Sequence, residues 1–328
     1  MNLLSPITNS YITQLAVQSN RTIAELCNKG NIFGYVGLVP LLLTVFGIFL
    51  SFNYDQLFQS KIVLVIMGGY MFCLFTVALI LMKNFKISND NQDKISVTQG
   101  VVRLFRGLQH LKSLKQLRIF LIAQVFINDA LATTGSTLNI IAFSELGIKP
   151  IQQLYSTIEF VSISIISNSV CLMLTNKYPN KIFAGLISCL CFYASTALYS
   201  FFFYDNEVQY YIVVGFLAIC IGSTQSLTKA VVSEYSPSGY ETTYFSMQSL
   251  TGGLTTWICP LLSGLINDHY GSYKPALLFV IFPFFVIGII ILAFFNSDLA
   301  QEEKMQLETK NHETHKLSDE EEITQIEN

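Results

Sequence analysis

The residues able to do chemistry in this chain sit where water is scarce. Asp129 lies deep in an apolar run, within Phe126-Ile127-Asn128-Asp129-Ala130, and Thr133, Thr134, Ser136, Thr137 and Asn139 follow it. An ionisable group at such depth is costly and marks a binding, relay or pairing role. A carboxylate there can hold a proton, pair with a coupling cation or bind a substrate amine; its plain packing role is an interhelical hydrogen bond. Glu159 stands near one end of the next run, close to Ser162, Ser164, Ser167 and Asn168. A helix this polar must turn that side to a bundle interior or an aqueous path. Lys229 is near the end of a later run, where its alkyl stem can carry the ammonium to the interface. The seven cysteines have no metal-ligand spacing and six lie inside apolar runs, so they read as small packing residues. No metal and no cofactor is expected.

Eight apolar runs must position these groups: Ile32–Leu50, Ile62–Met82, Leu117–Phe143, Leu154–Leu174, Ile182–Phe203, Tyr211–Val232, Tyr244–Ile266 and Pro275–Phe295. A run of roughly 20 apolar residues is what a helix needs to cross a bilayer. The chain is 52% hydrophobic and 12% charged, with mean hydropathy +0.48, about half the charge of a soluble domain. The fold class expected is all-α, a polytopic membrane helix bundle. With net charge −3, no nucleic-acid partner is expected.

Basic residues in short loops favour the cytoplasm. Twelve of them, Arg21, Lys29, Lys83, Lys86, Lys94, Arg103, Arg106, Lys112, Lys115, Arg118, Lys177 and Lys181, fall on one side if the runs alternate. Lys61, Lys149 and Lys274 fall on the other. Both termini are therefore expected in the cytoplasm. Four regions follow: two spans in 1–82, a long loop in 83–116, six spans in 117–295, and a tail in 296–328. Within the loop, Val101, Leu104, Phe105, Leu108, Leu111 and Leu114 have helical spacing with bases between them. That pattern predicts a basic amphipathic helix suited to anionic membrane lipid. The tail, with ten acids against three bases, is predicted to be disordered.

The run GSTQSLTKAVVSEYSPSGYETTYFSMQSLTGGLTTWICPLLSGLINDHYGSYK, Gly222–Lys274, carries the most specific pattern. It resembles the signature of the vacuolar amino-acid effluxers related to autophagy, the autophagy-related protein 22-like branch of the major facilitator superfamily. Lys229 stands where that family has an arginine. Pro237, Gly239, Glu241 and Phe245 match its loop, and Pro260, Gly264 and Asp268 its closing helix. Asn128-Asp129 stands where the family has an Asp-Gly pair. Asn9–Ile12 and Asn28–Gly37 look like segments before the fifth span of such proteins. Three positions depart: Ala130 replaces a glycine, Gly253 a frequent lysine, and Cys259 the usual glycine before proline.

The resemblance implies a major-facilitator bundle whose first two spans end an N-terminal half and whose last six form a complete C-terminal half. Four further spans are then expected upstream of Met1, as in a truncated gene product. It also implies export of neutral amino acids such as leucine, isoleucine and tyrosine from the vacuole, with protons as a coupling partner. Asp129, Asn128 and Thr133 are the expected substrate or coupling residues, Glu159 their partner, and Lys229 with Glu241 the cytoplasmic gate. No Gly-x-x-x-x-Gly-Lys-Ser/Thr loop for ATP occurs. Two other readings compete: a transporter of another small solute, and a non-transporting receptor or adaptor acting through its basic loop and acidic tail. A membrane enzyme ranks last, since the runs hold no Gly-x-Ser-x-Gly turn and no histidine.

Overall fold

The computed structural model describes residues 23–51, 56–84, 111, 114–178, 181–237 and 240–309, and among them every regular element is a helix. The helices are α1 (Ile23–Ser51), α2 (Gln56–Asn84), α3 (Lys115–Ser144), α4 (Pro150–Lys177), α5 (Ile182–Phe203) and α6 (Glu207–Tyr235). There follow α7 (Glu241–Leu254), α8 (Ile258–Tyr270), α9 (Lys274–Ala293) and α10 (residues 297–309). Eight stretches are long and apolar enough to cross a membrane: α1 to α6, α7 with α8, and α9. The amphipathic loop helix expected at Val101–Leu117 lies almost wholly outside the described residues.

Local chemistry sets the helix ends. Pro150 opens α4, where its missing N–H costs nothing. The Asn206 side chain caps α6 by accepting from the Gln209 N–H at 3.0 Å. Gly271, at φ +69°, ends α8 in the left-handed region that side chains resist.

The helices pack in two layers of contact. α3 lies against α9 and the α7–α8 pair, and α5 against α6 and α9; α4 lies against α6 and α1. α2 packs chiefly on α1 and leaves Leu64, Val65 and Phe72 bare, a surface suited to hydrocarbon. Two apolar clusters fill the six-span bundle. One joins Leu117, Phe120, Tyr235, Tyr244 and Phe295; the other joins Ile141, Tyr193, Tyr204, Tyr210 and Phe285.

Two irregularities have sequence causes. Residues Leu277–Ile281 in α9 form a π turn, with the Phe282 N–H reaching Leu277 O, just before Pro283. Proline there removes the next donor, and the wider turn absorbs the misfit. The seventh span, expected to be continuous over Tyr244–Ile266, is instead two helices. Pro260 cannot donate and its ring would strike the carbonyl of Thr256 in an unbroken helix; Gly252-Gly253 weakens the preceding turn. The chain therefore leaves helix at 255–257 and restarts, with Pro260 in the first turn of α8, where an N–H is dispensable.

Gly288 shows how tightly α9 meets α3. A Cβ built there would lie 2.6 Å from Ile127 Cγ1. Gly288→Ala should cost about 1–3 kcal/mol of thermal stability in detergent. Adding Ile127→Ala should recover part of it; a wild-type melting profile for Gly288→Ala would refute the close packing.

The region after the last span departs from the expected disorder. Residues 297–309 are helical, and Ala300 and Leu307 are 3% and 8% exposed within the first cluster. Asn296 caps this α10 helix, its Oδ1 accepting from the N–H groups of Asp298 and Leu299 at 2.9 and 3.3 Å. Average acidity concealed one apolar face at helical spacing. Residues 310–328 lie outside the described residues.

Candidate functional site

Asp129 is fully buried on α3 where the two apolar clusters meet. Its Oδ2 accepts a hydrogen bond from the Cys259 backbone N–H at 3.2 Å. That N–H belongs to the first turn of α8, so the carboxylate of one span caps the restarted helix of another. A negative charge at a helix N-terminus meets both free N–H groups and the positive end of the dipole. Among the described residues, Asp129 Oδ1 has no hydrogen-bond partner.

Around the break, the Thr255 hydroxyl donates to Val125 O at 3.3 Å and ties the interruption to α3. A Cβ on Gly252 would lie 3.4 Å from Asn128 Nδ2, so Asn128 faces the end of α7. The Cys259 thiol lies beside the side chains of Asp129 and Thr133. The Thr133 hydroxyl itself donates back to Asp129 O at 2.8 Å. One helical turn before Asn128, Gln124 is buried and, among the described residues, neither side-chain atom is bonded; on α8, buried Ser263 Oγ likewise has no partner among them. Asp129, Asn128 and Thr133 thus converge on the interruption of the seventh span. The Cys259 N–H joins them.

A second polar set links α1, α4 and α6. Asn31 Nδ2 donates to Ser226 Oγ at 2.5 Å, and that hydroxyl donates on to Asn168 Oδ1 at 3.3 Å. Asn168 Nδ2 donates to Ser164 O at 2.8 Å, and Ser167 Oγ pairs with Ser223 Oγ at 2.9 Å. Asn28 Nδ2 reaches Thr175 Oγ1 at 3.5 Å. Gly222 makes this approach possible, because a Cβ there would overlap the Asn168 amide. Of the polar side expected of the fourth span, Ser164, Ser167 and Asn168 turn inward, while Ser162 is exposed and donates to Ile158 O of its own helix.

Glu159 belongs to a different neighbourhood. It is half-buried on α4 against α6, where a Cβ on Gly215 would lie 3.5 Å from its Oε1. Among the described residues no hydrogen bond or ion pair joins it to Asp129, and α3 and α4 are not major packing partners. Their expected pairing is not formed in this structure. Alternating hydropathy fixed each helix but could not say which helices become neighbours.

A family model described as vacuole effluxer Atg22 like matches residues 10–305. The chain belongs to the Atg22-like vacuole effluxer family. Autophagy-related protein 22 of Eremothecium gossypii is 23% identical over 314 residues, covering 89% of this chain and 59% of that protein. The protein of that name from Vanderwaltozyma polyspora is 23% identical over 232 residues, covering 68% and 43%. The chain spans about half the length of these curated relatives. The fold is shared with a solved transporter of the major facilitator superfamily. A crystal structure of the transporter FucP in its outward conformation superposes with a TM-score of 0.55 at 18% identity, covering 90% of this chain and 73% of that one.

The remaining Atg22-like motif residues are dispersed. Lys229 is half-buried on α6 and lies near Cys27 of α1. Pro237 and Phe245 are buried beneath one end of the bundle. Glu241 opens α7, but its side chain, like all of Gly239, lies outside the described residues. Pro260 lies in the first turn of α8, Gly264 has open space around it, and Asp268 is exposed near the helix end.

Proposed function

We propose that this chain works as a secondary transporter that moves neutral amino acids, leucine, isoleucine and tyrosine among them, from the vacuole to the cytoplasm. Membership of an effluxer family and the major-facilitator fold support the class. The observation that carries the mechanism is Asp129, whose carboxylate holds the restarted half of a broken span with one oxygen while the other has no partner among the described residues. Broken helices in transporters put free backbone groups where substrates and coupling ions bind. A proton or a substrate ammonium arriving at Oδ1 neutralises the charge that caps α8. The cap weakens, and α8 is freed to shift against α3. Asn128, Gln124 and Thr133 supply further polar contacts to whatever occupies that place. Membership of a vacuole effluxer family supports the vacuolar membrane as its residence, and the bias of bases supports a topology with both termini in the cytoplasm.

The test uses vacuoles from cells with and without the chain, loaded with labelled leucine, isoleucine, tyrosine or lysine. The three neutral amino acids should leave faster when the chain is present, without added ATP, and lysine should not. Equal loss of all four from both preparations would remove the proposal.

A further inference from the structure

α10 touches the ends of two spans with opposite charges in the right places. Glu303 Oε2 accepts from the Gln116 backbone N–H, in the first turn of α3, at 3.0 Å. Lys304 Nζ donates to Glu234 O, in the last turn of α6, at 2.8 Å. An acid thus meets a helix N-terminus and a base meets a helix C-terminus, each where the dipole favours it. The Gln116 side chain completes the joint by accepting from the Asn296 N–H at 2.9 Å. Phe295, at the start of this connection, packs on Phe120, Phe183 and Tyr235. The remaining footprint is small: Ala300 and Leu307 are buried, while residues 301, 302, 305, 306 and 309 are exposed. An amphiphilic helix docked through such polar joints and the buried Ala300 and Leu307, with much of its length exposed, belongs to the low-stability end of a structure, able to release while the spans stay folded.

We propose that α10 is a releasable latch on the cytoplasmic end of the bundle, with Glu303 and Lys304 as positioning residues. Docked, it ties the start of α3, the span that carries Asp129, to the end of α6. Released, it lets those ends move as the pathway opens to the cytoplasm. The proposal rests on the transporter reading and deepens it by naming a gate.

Two measurements test it and separate its failure from that of the transporter reading. The first does not need transport: an Ala300→Cys variant in vacuole membranes is exposed to a membrane-impermeant maleimide from the cytoplasmic side. Labelling should be slow while α10 is docked and about tenfold faster after Glu303→Ala and Lys304→Ala together. Glu303→Gln with Lys304→Arg, which keep an acceptor and a donor, should restore much of the protection. Equal labelling in all three backgrounds overturns the latch. The second joins Gln116→Cys to Glu303→Cys by a short bis-maleimide with a reducible linker, and follows leucine efflux. The cross-linked protein should export about tenfold more slowly than the same protein after reduction, at equal immunoblot abundance. Efflux unaffected by the cross-link also overturns the proposal. If the native chain shows no efflux above control vacuoles, the transporter reading fails, and the labelling result alone decides whether α10 docks as a latch.

Discussion

Asp129→Asn should lower leucine efflux from vacuoles by at least about tenfold, the change that about 1.4 kcal/mol of barrier produces. The reason lies in what the substitution keeps and loses. Asparagine has nearly the same shape, and its carbonyl oxygen can still accept from the Cys259 N–H, so the joint between α3 and α8 is weakened as by protonation but not lost. It cannot carry a negative charge, take up a proton or attract an ammonium. Chain abundance and thermal stability should therefore stay close to wild type while transport falls. Asp129→Ala differs in kind, because it leaves the buried Cys259 N–H without its partner. That variant should lose about 1–3 kcal/mol of stability as well as activity. Efflux at the wild-type rate from Asp129→Asn would show that the charge is structural.

Gly222→Ala should be the most damaging single-atom change outside that centre. The new methyl group would overlap Asn168 Nδ2 and lie 3.1 Å from Asn168 Cγ. Asn168 has little freedom to retreat, since its amide donates to Ser164 O and its carbonyl receives the Ser226 hydroxyl. Either α4 and α6 separate or the polar seam breaks, at a cost of about 1–3 kcal/mol. Thermal unfolding in detergent reads this directly. Combining Gly222→Ala with Asn168→Ala removes the obstruction, so the pair should be more stable than the sum of the single changes predicts. Strict additivity would show that Asn168 is not what Gly222 accommodates.

The helical spans were legible in the sequence because each obeys a length requirement set by the bilayer, and Asp129 stood out because charge is rare there. The partner of Asp129 was not legible. It is a backbone N–H 130 residues further along, and every residue but proline has one, so no side-chain type marks it. The break that frees this N–H left a signal in Gly252-Gly253 and Pro260, but hydropathy runs unbroken across it and conceals the interruption. The same averaging hid α10. Its Asn296 cap, Ala300 and Leu307 form a local helical pattern, yet they sit in a stretch whose net acidity suggests disorder. Which spans become neighbours depends on small residues such as Gly215, Gly222 and Gly288, whose meaning appears once the opposing side chain is known.

The position of α10 also changes how the acidic region should be dissected. Removing residues 310–328 leaves the latch in place and should leave efflux intact. Removing residues 297–328 takes Glu303 and Lys304 away and should alter it. An adaptor acting through the acidic segment would lose its output in both cases.

The proposed pathway is formed by this chain alone and governed by Asp129. The most direct measurement is release of labelled leucine from liposomes containing the purified chain and no other protein. Release should exceed that from protein-free liposomes, fall on adding excess unlabelled isoleucine, and drop to background with Asp129→Asn. Release at the protein-free rate from liposomes holding the folded, unsubstituted chain would contradict the claim.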